Sequence, residues 1–153
     1  MLTPTDVAVS SRGEIHVAEP AINRIQIFSP SGKFRLAMGT GGTRAGQFNN
    51  PIGIALDCND DIYVVDTLNG RVQKFRRDGV WVYDWGTTTV KIERLNHPLR
   101  ACITSQGNIY IADTPGNVLD VHRIVEFRLP PCITPVRQTT WSDMRRIFRS
   151  KQR

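Results

Sequence analysis

Three acids stand out as candidates for chemistry. Glu19, Asp66 and Asp113 follow one another at intervals of 47 residues. Carboxylates repeated in this way would suit a divalent cation, which takes several oxygen ligands, or acid–base catalysis. A plainer role competes with that reading. Glu19 and Asp66 each precede an arginine by five residues, Arg24 and Arg71, which allows a structural ion pair inside each repeat. Each acid also stands just ahead of turn-forming residues, where a carboxylate accepts backbone N–H groups. Structural ion pairs, Glu19 with Arg24 and Asp66 with Arg71, are therefore the expectation.

Other reactive types are sparse. His16, His97 and His122 show no metal-ligand spacing, and no HxxxH or HExxH pattern occurs. His16 stands where the other repeats carry Tyr63 and Tyr110, so packing is its expected role. No serine lies in a G-x-S-x-G elbow. Gly39-Thr40-Gly41-Gly42 lacks the lysine and serine of a phosphate loop and reads as a flexible linker. Cys58, Cys102 and Cys132 contain no CxxC and fit no zinc pattern, so free thiols are the expectation, with one disulfide plus one free thiol as the alternative. These signs predict no catalytic residue, no metal and no cofactor in this stretch of chain.

The elements that would position these residues repeat. Pro4, Pro51 and Pro98 share the 47-residue period, as do Ile15, Ile62 and Ile109. Arg24 matches Arg71, Phe28 matches Phe75, and Gly39 matches Gly86. In the third copy Arg123 and Phe127 arrive five residues late, which places one insertion near residues 116–122. The second copy is the clearest. Residues 52–56 form an apolar run, 62–66 are β-branched and aromatic, 71–75 alternate, and 80–85 are rich in aromatics. Turn residues separate all four. Four antiparallel strands per repeat of roughly 40–45 residues is the signature of a propeller blade.

Residues 46–79 resemble the NHL repeat: Gly46-Gln47-Phe48, then Pro51-Ile52-Gly53-Ile54-Ala55-Leu56-Asp57, then Ile62-Tyr63-Val64-Val65-Asp66, then Asn69-Gly70-Arg71-Val72-Gln73-Lys74-Phe75. Residues 4–39 match well, and 98–128 match through Asp113 before drifting. The resemblance implies an all-β fold of β-propeller blades. Family members commonly have six blades; many bind proteins, some bind single-stranded RNA, and a few support lyase or hydrolase chemistry. Two departures matter. Three copies are too few to close a ring. The third copy also runs into Pro130-Pro131 where a fourth strand would be sought, and proline suits only a sheet edge. Blades are expected over residues 1–50, 51–97 and 98–128. Self-association of two chains would complete a six-bladed ring.

In propellers, the loops between second and third strands share one face with the loops between blades. Here those loops carry Asn23, Arg44, Asn69, Lys91, Arg94 and His97, a candidate binding face. Arginine and lysine beside asparagine would serve either a polar rim for protein or contacts to phosphate and bases. Phe48 and Leu95 occupy one repeat position and read as wedges between blades.

Residues 129–153 leave the repeat. Trp141, Met144, Ile147 and Phe148 form an amphipathic stripe on an expected short helix, with Arg145, Arg146, Arg149 and Lys151 filling the rest. That tail holds six basic residues against one acid, whereas residues 1–128 hold fourteen against thirteen. The formal charge of +6 is therefore a property of the tail, and the blades are nearly neutral. No apolar run reaches the roughly 18 residues of a membrane span, and no signal segment opens the sequence, so a cytoplasmic location is favoured. The expected function is a non-catalytic scaffold for protein–protein interaction. The alternatives are a single-stranded RNA-binding module and a part of a propeller lyase or hydrolase.

Overall fold

The computed structural model of the 153-residue chain describes residues 3–87, 94–114 and 123–129. The expected tail helix, with Arg145, Arg146, Arg149 and Lys151, lies outside them, as do Lys91 and the insertion before Arg123. Three antiparallel sheets follow one another along the chain. The first contains β1 (Asp6–Val9), β2 (Ile15–Glu19), β3 (Arg24–Phe28) and β4 (Phe34–Met38), in that order. The second contains β5 (Pro51–Leu56), β6 (Ile62–Asp66), β7 (Arg71–Phe75) and β8 (Trp81–Trp85). The third contains β9 (Pro98–Ile103), β10 (Asn108–Asp113) and β11 (Arg123–Arg128). Three strands of this last blade are seen among the described residues.

Local chemistry explains the turns. A single 3-10 turn, Pro20–Ile22 in the first blade and Thr67–Asn69 in the second, joins second strand to third. Each turn ends on a left-handed residue, Asn23 at φ 52° and Gly70 at φ 61°, two types that accept positive φ at low cost. Positions 23 and 70 are one repeat apart, so the same backbone geometry is met by two different side chains.

Strand pairing fixes which side chains meet between blades. Side chains alternate along a strand, so each sheet has two flanks. Ala18, Ile25, Ile27 and Met38 of blade 1 pack with Ile54, Ile62, Val64 and Phe75 of blade 2. The opposite flank of blade 2, with Tyr63, Val65, Val72 and Trp85, packs with Ile109, Ile111, Val125 and Phe127 of blade 3. Edge-to-face contacts between Trp85 and Phe127, and between Tyr63 and Trp85, fill that second seam. Phe48 and Leu95 are buried at the two seams. The inner strands β1, β5 and β9 lie beside one another.

The thiols follow the alternative of a disulfide beside a free thiol, not the expectation of free thiols throughout. Cys58 is disulfide-bonded, while Cys102 is free and exposed. Cys58 stands in the exposed turn between β5 and β6. The odd count and spacing carried no information about that geometry.

Candidate functional site

The acids do not form a ring of ligands. Each is consumed where its second strand ends. Asp66, fully buried, accepts hydrogen bonds from four groups: the Asn49 N–H at 2.7 Å, Asn69 Nδ2 at 2.8 Å, Arg71 Nε at 2.8 Å and Gln73 Nε2 at 3.0 Å. Arg71 extends the network. Its Nη1 meets Asp84 at 2.7 Å, and its Nη2 donates to the carbonyls of Arg44 and Gln47, both at 2.9 Å. Gln73 adds a bond from Nε2 to the Gln47 carbonyl at 2.6 Å, and its Oε1 accepts the Gly46 N–H at 2.9 Å. Asp66, Arg71 and Gln73 thus clamp the backbone of the linker that enters blade 2. Burying this charge is tolerable because it is paired and fully hydrogen-bonded.

The same positions recur in blade 1. Glu19 accepts Arg24 Nε at 2.8 Å and Gln26 Nε2 at 2.5 Å. In blade 3, Asp113 accepts the N–H groups of Asn96 and His97 at 3.0 and 2.9 Å. Asn49 and Asn96 are one repeat apart, so one carboxylate-to-backbone bond fastens both blade entries. Among the described residues, no group of three or more His, Cys, Asp or Glu side chains is placed to hold a metal ion.

The candidate binding face divides into two sets. The Asn23 and Asn69 side chains are spent on the fold, whereas His97 is tied through its backbone and its side chain stays half-buried. Asn23 Oδ1 accepts the Asn50 N–H at 2.8 Å, Asn69 Nδ2 donates to the Gly42 carbonyl at 2.9 Å, and the His97 carbonyl accepts Thr114 Oγ1 at 3.1 Å. Arg44 and Arg94 keep exposed side chains. The segment Gly39–Gly42, expected to be slack, is held. Thr40 O accepts the Phe48 N–H at 2.8 Å, and Phe48 O accepts the Gly42 N–H at 2.9 Å. Gly39 adopts φ +93° with the Phe48 ring against it, a contact that leaves no room for a side chain.

A groove of about 410 Å³ opens at the seam of blades 2 and 3 on this face. Leu68, Leu95 and Thr87 line it together with Asn69, Asn96 and Arg94. Leu68 is exposed, and Leu95 is buried.

Sequence reasoning missed Arg100. Its Nη2 donates to Thr5 O at 2.9 Å in blade 1, and its Nη1 donates to Ile52 O at 3.1 Å in blade 2. One side chain of blade 3 therefore reaches both other inner strands. The signal available was weak: an arginine in a short run of otherwise apolar residues, at a position held by Asp6 and Gly53 in the other copies.

His16 is buried with both ring nitrogens unpartnered among the described residues. Burial lowers its pKa, and nearby Asp60 opposes that effect. Burial also opposes ionisation of Asp60. Hydrogen bonds from the Ser11 N–H and hydroxyl, both 2.7 Å, and the charge of Arg12 outweigh it and hold Asp60 below its usual value.

Antiparallel four-stranded sheets stacked flank to flank, with their first strands side by side, define a β-propeller repeat protein. It carries an NHL repeat, matched by the family model of that name over residues 48–75. Solved structures of propeller proteins are similar in fold. A streptogramin B lyase is 23% identical with a TM-score of 0.57, covering 81% of this chain and 40% of its own. A catalytically inactive virginiamycin B lyase from Staphylococcus aureus, with quinupristin, is 19% identical with a TM-score of 0.57, covering 86% and 42%. The WD40 repeats of RRP9 are 12% identical with a TM-score of 0.59, covering 73% and 33%. The chain thus spans less than half the length of each of these propellers. No match to a curated protein sequence is found. No helix among the described residues is long and apolar enough to cross a membrane.

Proposed function

We propose that the chain is a non-catalytic scaffold that binds protein through the groove at the seam of blades 2 and 3. The observation that carries this reading is the composition of the groove. Exposed Leu68 offers an apolar contact, and Arg94 and Asn96 form a polar rim around it. Apolar anchors within a polar rim are the usual anatomy of a protein interface. The acids that might have served catalysis are instead bound up in the blade entries.

Selection of a random peptide library against the 153-residue chain tests the proposal. Selected peptides should lose about tenfold or more in affinity with Leu68→Glu and with Arg94→Ala. Peptides indifferent to both substitutions would overturn the assignment. Single-stranded RNA binding that falls steeply with added salt would move the reading to nucleic acid. Turnover of a streptogramin by the chain would move it to the lyases.

A further inference from the structure

Leu68 stands between two linkers, and each linker carries an exposed arginine. The turn Thr67–Asn69 holds Leu68 against the linker that enters blade 2. The Leu68 N–H donates to Asn49 O at 3.1 Å, and Asn69 Nδ2 donates to Gly42 O at 2.9 Å. On the other side runs the linker that enters blade 3. Gly70 lies so close to it that an added Cβ would stand 3.0 Å from Leu95 O. Arg44 belongs to the first linker, two residues beyond Gly42, and Arg94 to the second, one residue before Leu95. Both are exposed. The backbone of Arg44 is fixed at both ends. Its N–H donates to Gln47 Oε1 at 3.2 Å, and its carbonyl accepts the Gln47 N–H at 3.0 Å and Arg71 Nη2 at 2.9 Å.

The charges around Leu68 have one sign. Segments 39–50, 67–70, 86–87 and 94–97 contain two arginines and no aspartate or glutamate. The carboxylates at this end of the blades, Glu19, Asp66 and Asp113, are all buried and matched by their own donors. An apolar side chain flanked by surface cations complements an apolar side chain flanked by anions. A guanidinium takes a carboxylate on two parallel N–H donors, which fixes orientation as well as distance. A basic segment would meet like charge on both sides of Leu68. The fixed backbone at Arg44 and Leu68 keeps the ordering cost of such a contact low.

We infer that the partner presents an acidic segment, in which an apolar side chain docks against Leu68 and carboxylates on either side pair with Arg44 and Arg94. The inference rests on the seam groove as the binding site. It adds the charge of the ligand and a second arginine on the opposite linker.

The test starts from peptides selected on the full 153-residue chain. Those lost with Leu68→Glu are groove ligands whatever their charge, and aspartate and glutamate should be enriched beside their apolar residue. Fluorescence anisotropy then compares two labelled probes. One has a leucine between two Asp-Glu pairs, and the other has the same leucine between two Asn-Gln pairs. Two exposed ion pairs should favour the acidic probe by about tenfold at low salt, and the ratio should shrink as salt is added. Arg44→Gln removes one pair and should cut the ratio to about threefold. The main-chain bonds that fix this linker do not use the Arg44 side chain, so the variant keeps them. Groove ligands that are neutral or basic overturn the inference and leave the groove as a protein site. A ratio unchanged in Arg44→Gln also overturns it. If no selected peptide responds to Leu68→Glu, the site itself falls and the inference with it. Oligouridylate that binds as tightly as the acidic probe and ignores Leu68→Glu assigns the two arginines to nucleic acid and overturns it as well.

Discussion

Arg71 Nε lies 2.8 Å from Asp66 Oδ2, and the pair is buried at the entry to blade 2. Removing one partner of a buried, hydrogen-bonded ion pair leaves the other charge stranded. Arg71→Ala should therefore destabilise the chain by about 3–5 kcal/mol. The matching pair in blade 1 is open to water on the arginine side, so solvent can replace the lost partner. Arg24→Ala should cost only about 1 kcal/mol. Urea denaturation of the two variants checks the contrast. Equal losses would show that the linker contacts of Arg71 contribute nothing beyond the pair itself.

Two glycines one repeat apart set the blade exits. A Cβ on Gly39 would stand 2.2 Å from the Phe48 ring, at φ +93°. On Gly86 it would stand 2.8 Å from the Gly70 carbonyl, at φ +111°. Neither the buried ring nor the backbone can retreat cheaply. Gly39→Ala and Gly86→Ala should each lower stability by more than about 2 kcal/mol, combining backbone strain with overpacking. Gly32 at φ +77° has open space around it, so Gly32→Ala carries only the backbone cost of about 1–2 kcal/mol. Thermal melts of the three variants separate the two effects.

The 47-residue period made the blades legible because propeller strands are short, alternate strictly and recur with the same turns. Apolar runs such as residues 52–56 and 62–66 announced their strands directly. The acids were legible as structural because the arginine five residues on falls directly opposite in an antiparallel pair, as Glu19 with Arg24 and Asp66 with Arg71 do in register. Which asparagines would be free was not legible. Asn23 and Asn69 look like surface loop residues in sequence, yet each fastens a segment 27 residues away. Arg100 was missed for a similar reason. Its contact with Thr5 spans 95 residues, and no local pattern encodes a contact across two blade seams. Cys58 shows the same limit, since pairing depends on where sulfurs lie in space.

Acid should weaken the fold in two stages. The folded-state pKa of His16 is lowered, so the unfolded chain binds its proton first. Stability contributed by neutral His16 is complete above its unfolded value, about 6.5, and falls as pH drops below it. Asp60 is also depressed, so its contribution is complete above about 4 and is lost as pH falls through its folded value. His16→Phe should remove the first stage and leave the second. Urea midpoints measured between about pH 7 and pH 3 check the order. A midpoint flat down to about pH 5 in the unsubstituted chain would contradict the burial of an unpartnered His16.

Arg100 offers the sharpest test of how the blades hold together at their inner strands. Its guanidinium donates to Thr5 O and Ile52 O, and its Nε lies 3.8 Å from Asp6 Oδ2. Asp6 Oδ2 in turn accepts the Ile54 N–H at 3.0 Å. One residue of blade 3 therefore braces a hydrogen bond between blades 1 and 2. Because Arg100 is exposed, water recovers part of what is lost on its removal, and Arg100→Ala should cost about 1–2 kcal/mol in total. The local effect should exceed the global one. Hydrogen exchange at the Ile54 amide should accelerate more than exchange at Val64, which lies within the β6 ladder. Arg100→Lys should fail to restore protection, because a single ammonium cannot hold two carbonyls of different strands in the planar geometry of the fork. Uniform acceleration at both amides would mean that Arg100 acts on global stability alone and that the inner strands are held by their apolar flanks.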